Sequence, residues 1–168
     1  MSIKLNSKKI ALYGLLTALA LIFGYVEFLL PLKFIAPGVK LGVANAVFLI
    51  LLLNGKAPAA VIINLARILL SALLFATPFS LLFSLTAGVV SMAFMLLAAK
   101  IKNVGVIGIS LIGGTLHNLT QLVVANLTVG QAVWFYAPFL LIAGLIAGTA
   151  VGFISWLMCK KIPNLYVE

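Results

Sequence analysis

The chain has no aspartate, and its only acids are Glu27 and Glu168. It therefore lacks the clustered carboxylates that hold magnesium on a diphosphate, and the paired carboxylates of acid/base catalysis. A single cysteine, Cys159, excludes an internal disulfide. His117 is the only histidine beside that one cysteine, so no His/Cys metal cluster forms. Gly55-Lys56 is followed by Ala57 and lacks the upstream glycine of a phosphate-cradling loop. ATP hydrolysis by that route is excluded, and no cofactor is implied.

Apolar residues dominate what is there. Of 168 residues, 65% are hydrophobic and 8% charged, and the mean hydropathy is +1.32. Soluble domains run roughly 45–50% apolar. The composition predicts an all-α integral membrane protein, a single transmembrane domain over residues 1–168. The net charge of +9 is no nucleic-acid footprint, because the basic residues stand singly or in pairs between apolar runs. The first run follows Lys8-Lys9. It is too long for a signal-peptide core and has no small-x-small cleavage site after it, so it reads as a retained span.

Punctuation by Pro, Gly, Asn and Lys leaves six predicted spans, about 9–30, 41–54, 57–76, 79–99, 104–127 and 131–158. The second is short against the ~20 residues of a straight crossing. With the N-terminus inside, Lys4, Lys8, Lys9, Lys56, Lys100, Lys102, Lys160 and Lys161 fall on the inner side, and only Lys33 and Lys40 on the outer. The positive-inside rule then makes both termini cytoplasmic, a multi-pass protein of the bacterial cytoplasmic membrane.

Helical spacing sorts the polar and small residues into stripes. In span 5, Ser110, Gly114, His117, Asn118, Gln121 and Ala125 share one face, and Leu, Ile and Val fill the other. In span 3 the stripe is Ala60, Asn64, Arg67 and Ser71. An arginine at mid-span costs ~2.5–3.5 kcal/mol on insertion scales, so it faces the interior and needs acceptors. Span 1 has two faces: Gly14 and Ala18 with Ala11, and Thr17, Ala20, Gly24 and Glu27. Ser84, Gly88 and Ser91 in span 4, and Gly144, Gly148 and Gly152 in span 6, read as plain helix packing. Asn118-Leu-Thr120 and Asn126-Leu-Thr128 match a glycosylation pattern but lie in or beside a span, and are discounted.

Counting ~1.5 Å per residue converts position to height. Glu27, Asn45, His117, Gln121 and Trp134 fall in the outer half, Arg67 near the middle, and Gly14 and Ala18 in the inner half. The split suggests a binding site open outward and a docking surface inside. Glu27 and Arg67 stand ~10 Å apart in height, and helix side chains lean toward the N-terminus, which aims Arg67 away from Glu27. Direct pairing is disfavoured, with Asn64, Asn118 or a ligand anion as other partners. Basic and amide groups beside Trp134 suit a partly anionic or carbonyl-rich ring compound.

Two motifs suggest a family. Pro37-Gly38-Val-Lys40-Leu-Gly42-Val-Ala-Asn45 and Gly113-Gly114-Thr-Leu-His117-Asn118-Leu-Thr-Gln121 resemble the Gx transporters, also labelled heptaprenyl diphosphate synthase component I. That family is grouped with the S components of energy-coupling factor (ECF) transporters. The resemblance implies six transmembrane helices and an outer-half site capped by the loop after helix 1. It also implies docking through small residues of helix 1 on a membrane coupling subunit served by two cytoplasmic ATPases. Lys40, Asn45, His117, Asn118 and Gln121 lie in the family-like motifs. Ala11, Gly14 and Ala18 match the docking feature, usually Ala-xxx-Ala, and residues 31–40 match the capping loop. Glu27, Asn64, Arg67 and Trp134 are site candidates from their stripes and heights alone.

The expected function is a non-enzymatic binding subunit for a small vitamin- or cofactor-precursor-like substrate, in lipid, without nucleic acid. Two other readings stand beside it. One is a membrane accessory subunit in polyprenyl diphosphate or quinone synthesis. The other is a stand-alone transporter with Glu27 or His117 as its proton site.

Overall fold

The computed structural model describes residues 7–29, 42–75 and 77–161. Lys40 and the predicted capping loop, residues 31–40, lie outside the described residues. So do Lys4, Lys33 and Glu168.

Among the described residues six α-helices follow in order: α1 (Ser7–Leu29), α2 (Asn45–Leu53), α3 (Ala57–Leu74), α4 (Pro78–Ala98), α5 (Val106–Val129) and α6 (Ala137–Lys161). A short 3-10 helix, Gln131–Tyr136, joins α5 to α6. Five helices are long and apolar enough to cross a membrane, which makes this an all-α, multi-pass membrane protein. The exception is α2. Its nine residues rise only ~13 Å, under half a bilayer core. Residues 46–52 of α2 are all buried, so it is a core plug rather than a lipid-facing span.

Starts and stops follow local chemistry. Thr77 caps α4, its side chain accepting from the Ser80 N–H at 3.2 Å, and Pro78 sits where no intrahelical donor is needed. Gly130 ends α5 at φ +106°, a conformation open to glycine but strained for other residues.

Neighbouring helices run antiparallel in sequence order. Asn118 contacts Leu140, Gly114 contacts Gly144 and Gly148, and Gly152 contacts Ile107, so α5 and α6 run in opposite directions along their whole length. Asn64 meets Met92, and Gly88 meets Ile68, so α3 and α4 do the same. Lys8, Lys9, Lys56, Lys100, Lys102, Lys160 and Lys161 therefore gather at one end of the bundle. No described lysine lies at the other end. This matches the predicted charge asymmetry.

Hydrophobic association gives no drive between helices in lipid, so close packing must replace it. A Cβ on Gly114 would fall 2.8 Å from the Gly144 carbonyl oxygen. On Gly148 it would fall 2.9 Å from Leu111 Cα, and on Gly152 2.9 Å from Ile107 Cα. Backbone thus meets backbone along the whole α5/α6 seam. Between α4 and α5, Ser91 Oγ donates to the Gly113 carbonyl at 2.8 Å, and Met95 packs where a Gly113 side chain would stand. Gly88 and Ser91 in α4 and Gly144, Gly148 and Gly152 in α6, predicted as packing surfaces, are used so. The core proper lies toward the lysine-rich end, with Leu49, Ala60, Ile63, Met92 and Met95 at its centre.

Candidate binding site

The polar stripe of α5 faces inward. His117, Asn118 and Gln121 are 7%, 1% and 2% exposed. They are held there because Gly113 and Gly114, one turn earlier, let α4 and α6 close on both sides. Asn118 Nδ2 donates to the Leu140 carbonyl of α6 at 3.1 Å. That bond fixes the amide orientation, because only the nitrogen can serve a carbonyl. Asn118 Oδ1 is left buried with no hydrogen-bond partner. Gln121 Nε2 lies 3.2 Å from His117 Nε2. For the amide to donate, the ring must be neutral with its proton on Nδ1. Gln121 Oε1 is then also buried without a partner, as are Thr115 Oγ1 and Asn126 Oδ1 on the same helix.

On α3, Asn64 and Arg67 form the second group. Arg67 Nε and Nη2 both donate to Asn64 Oδ1, at 3.2 and 2.9 Å, and Asn64 Nδ2 leans on Met92 Sδ at 3.7 Å. Arg67 lies on the arc of α3 that buries Ala60, Ile63, Asn64 and Ile68. It makes no ion pair with a carboxylate among the described residues. Glu27 is near enough for its charge to act on Arg67, but the pair does not close, as the height count predicted.

Glu27 is engaged elsewhere. Its Oε1 accepts the Gly42 N–H at 2.8 Å, and Gly42 O accepts from Asn45 N at 2.8 Å. Gly42 is left-handed at φ +69°, and a Cβ there would crowd Asn45 Nδ2 at 3.3 Å. The Gly42-Val-Ala-Asn45 part of the motif thus starts α2 and ties it to the far end of α1. Glu27 and Asn45 are drawn together in that tie.

The two polar groups share a level. Ser91 on α4 bonds Gly113 on α5. One turn, ~6 Å, toward the lysine-free end brings α4 to Ala87 and α5 to His117. Gly88 touches Ile68, so Arg67 stands within about a turn of His117 in height. The nine-residue α2 reaches, from the turn before α3, to about the level of Arg67. Trp134 stands apart from this group at 45% exposure, on the 3-10 helix.

The sequence stripes missed Thr115 and Asn126, whose buried oxygens join the set. Thr115 lies three residues before Asn118 and was findable from that spacing. Asn126 was noted only for its glycosylation pattern. Gly42 was seen as motif, and nothing local in the sequence marks it as the partner of Glu27. Of the predicted docking residues, Ala11, Gly14 and Ala18 are all exposed, and no atom lies within 4 Å of where a Gly14 Cβ would be.

Residues 16–158 match the family model described as heptaprenyl diphosphate synthase component I. No curated protein and no solved structure matches the chain.

Proposed function

The chain belongs to the heptaprenyl diphosphate synthase component I family, and from that premise we propose that it is the substrate-binding membrane subunit of an ECF-type importer. Its substrate is a small vitamin- or cofactor-precursor-like compound. Its place is the bacterial cytoplasmic membrane, with the lysine-rich end inside. Its partners are a membrane coupling subunit and two cytoplasmic ATPases. The chain itself does no catalysis.

One observation carries the reading. Asn118 and Gln121 are almost wholly buried, yet each holds an amide oxygen with no donor. An unfilled buried acceptor costs ~1–3 kcal/mol, and ionisable side chains such as Arg67 within a membrane span mark substrate pathways. Several on one helix, level with a guanidinium, are better explained by a bound molecule than by seam chemistry. Importer action also needs an energy source, and the chain has no phosphate-binding loop, so separate ATPases supply it.

Native mass spectrometry of the purified protein tests the reading. A small molecule should travel with the wild type and be lost from Asn118→Leu at unchanged size-exclusion profile. An empty wild type that also fails to capture a coupling subunit would remove the proposal.

The family description favours a second reading, a membrane accessory subunit in polyprenyl diphosphate or quinone synthesis. The absence of aspartate limits it to support of a separate, Asp-rich synthase. Unchanged polyprenyl synthesis in a deletion strain excludes it.

A further inference from the structure

We propose that the bound molecule is an organic anion, its negative group seated on Arg67 and its N–H or O–H donors turned to α5. The inference rests on the binding-subunit reading and adds the chemical class of the ligand.

The guanidinium has five N–H donors. Two of them converge on one neutral oxygen, Asn64 Oδ1, and no other described group takes the rest. The charge sits on the inward arc of a membrane helix, where an uncompensated cation is costly. Glu27 is the only acid in the described residues, and it gives an oxygen to the Gly42 N–H instead of closing on Arg67. The cation is thus held in place, its side chain fixed by Asn64, with spare donors in a planar fork. Such a fork matches carboxylate or phosphate geometry.

On α5 the unmet groups have the opposite character. Asn118 Oδ1, Gln121 Oε1, Thr115 Oγ1 and Asn126 Oδ1 lack partners, and the three amide oxygens can only accept. Asn118 is the firmest, since its bond to Leu140 O fixes which end of the amide is free. One side of the interior therefore asks for an anionic acceptor, and Asn118, within about a turn of Arg67 in height, asks for a donor. An acid that also bears ring N–H or hydroxyl groups answers both. A neutral compound leaves Arg67 uncompensated, and an acid without donors leaves Asn118 unmet.

The test compares wild type with Arg67→Gln, Arg67→Lys and Asn118→Leu, each full-length and monodisperse in detergent. Species carried through purification are counted by native mass spectrometry, then released and identified in negative- and positive-ion modes. A panel of aromatic carboxylates with ring N–H groups, including orotate, is added back, each acid beside its own amide, and read by thermal shift. The expected result is an acidic species in the wild type. Arg67→Gln should weaken the bound acid at least ~30-fold, the usual consequence of removing one partner of a buried charge pair, and erase the preference of acid over amide. Arg67→Lys should keep part of that preference, and Asn118→Leu should weaken acid and amide alike. A neutral co-purified species, or an acid whose binding ignores Arg67→Gln, overturns the anion and leaves the binding subunit standing. An acid that extracts into chloroform is a lipid headgroup: it supports the charge assignment but counts against import. An empty wild type that no acid or amide of the panel shifts overturns both.

Discussion

Two small-residue stripes of similar spacing meet opposite fates in this bundle. On α6, Gly144, Gly148 and Gly152 are buried, and the α5 backbone fills the space where their side chains would stand, at 2.9 Å in each case. On α1, Ala11, Gly14 and Ala18 are exposed, and Gly14 has nothing within 4 Å. Only Ala20 is buried along the whole of α1. The same residue grammar thus describes a finished interface and an open one. Spacing says that backbones can approach closely. It does not say whether the other backbone belongs to this chain.

The comparison is tested hardest at Gly148. A leucine there meets Leu111 Cα and the Ser110 carbonyl, and no rotamer relieves a clash with backbone. Separation of α5 from α6 should follow, with a loss of about 3 kcal/mol, seen as aggregation in size exclusion or a steep fall in melting temperature. Wild-type stability of Gly148→Leu would mean that the glycine seam is not close-packed.

A smaller effect is expected at Gly42, where α1 is tied to α2. Alanine in the left-handed region costs roughly 1–2 kcal/mol, and its Cβ would press on Asn45 Nδ2. Glu27→Gln probes the same tie from the other side. Its amide oxygen still accepts from the Gly42 N–H, so it should be milder than Gly42→Ala in thermal melts. The reverse order would show that the Glu27 charge, through Arg67, matters more than the tie.

Much of this was legible beforehand, and the reasons differ by residue. The long spans were readable because ~20 apolar residues between lysines have few other uses. His117, Asn118 and Gln121 were readable because amides in a greasy helix must turn inward. Arg67 finding Asn64 rather than Glu27 was readable from height and side-chain lean. The brevity of α2 was only half visible: its apolar run looked short, but its role as a buried plug depends on α3 and α6 closing around it. Trp134 was placed by height alone, and height does not show that the 3-10 turn after Gly130 leaves it half exposed. The Glu27–Gly42 bond was invisible, because it joins residues whose meeting is set by the path of the chain between them.

Ser91→Ala asks how much the α4/α5 seam owes to the Ser91–Gly113 hydroxyl bond. Such bonds in membrane bundles average ~0.6 kcal/mol, so the melting temperature should fall slightly, far less than for Gly148→Leu.

The smallest effect on stability is expected at Gly14, and it is the most informative. With open space around it and a better helix former replacing glycine, Gly14→Leu should leave the isolated chain within ~0.5 kcal/mol of wild type. If α1 is the docking face, the same change places a bulky side chain where a partner helix must come close, and assembly with a coupling subunit should fail in pulldown while small-molecule binding persists. That separation of folding, binding and assembly in one variant is available only because the α1 stripe is open and the α6 stripe is closed. Intact assembly of Gly14→Leu would assign the open stripe to lipid contact, and the search for a docking face would move to another exposed surface of the bundle.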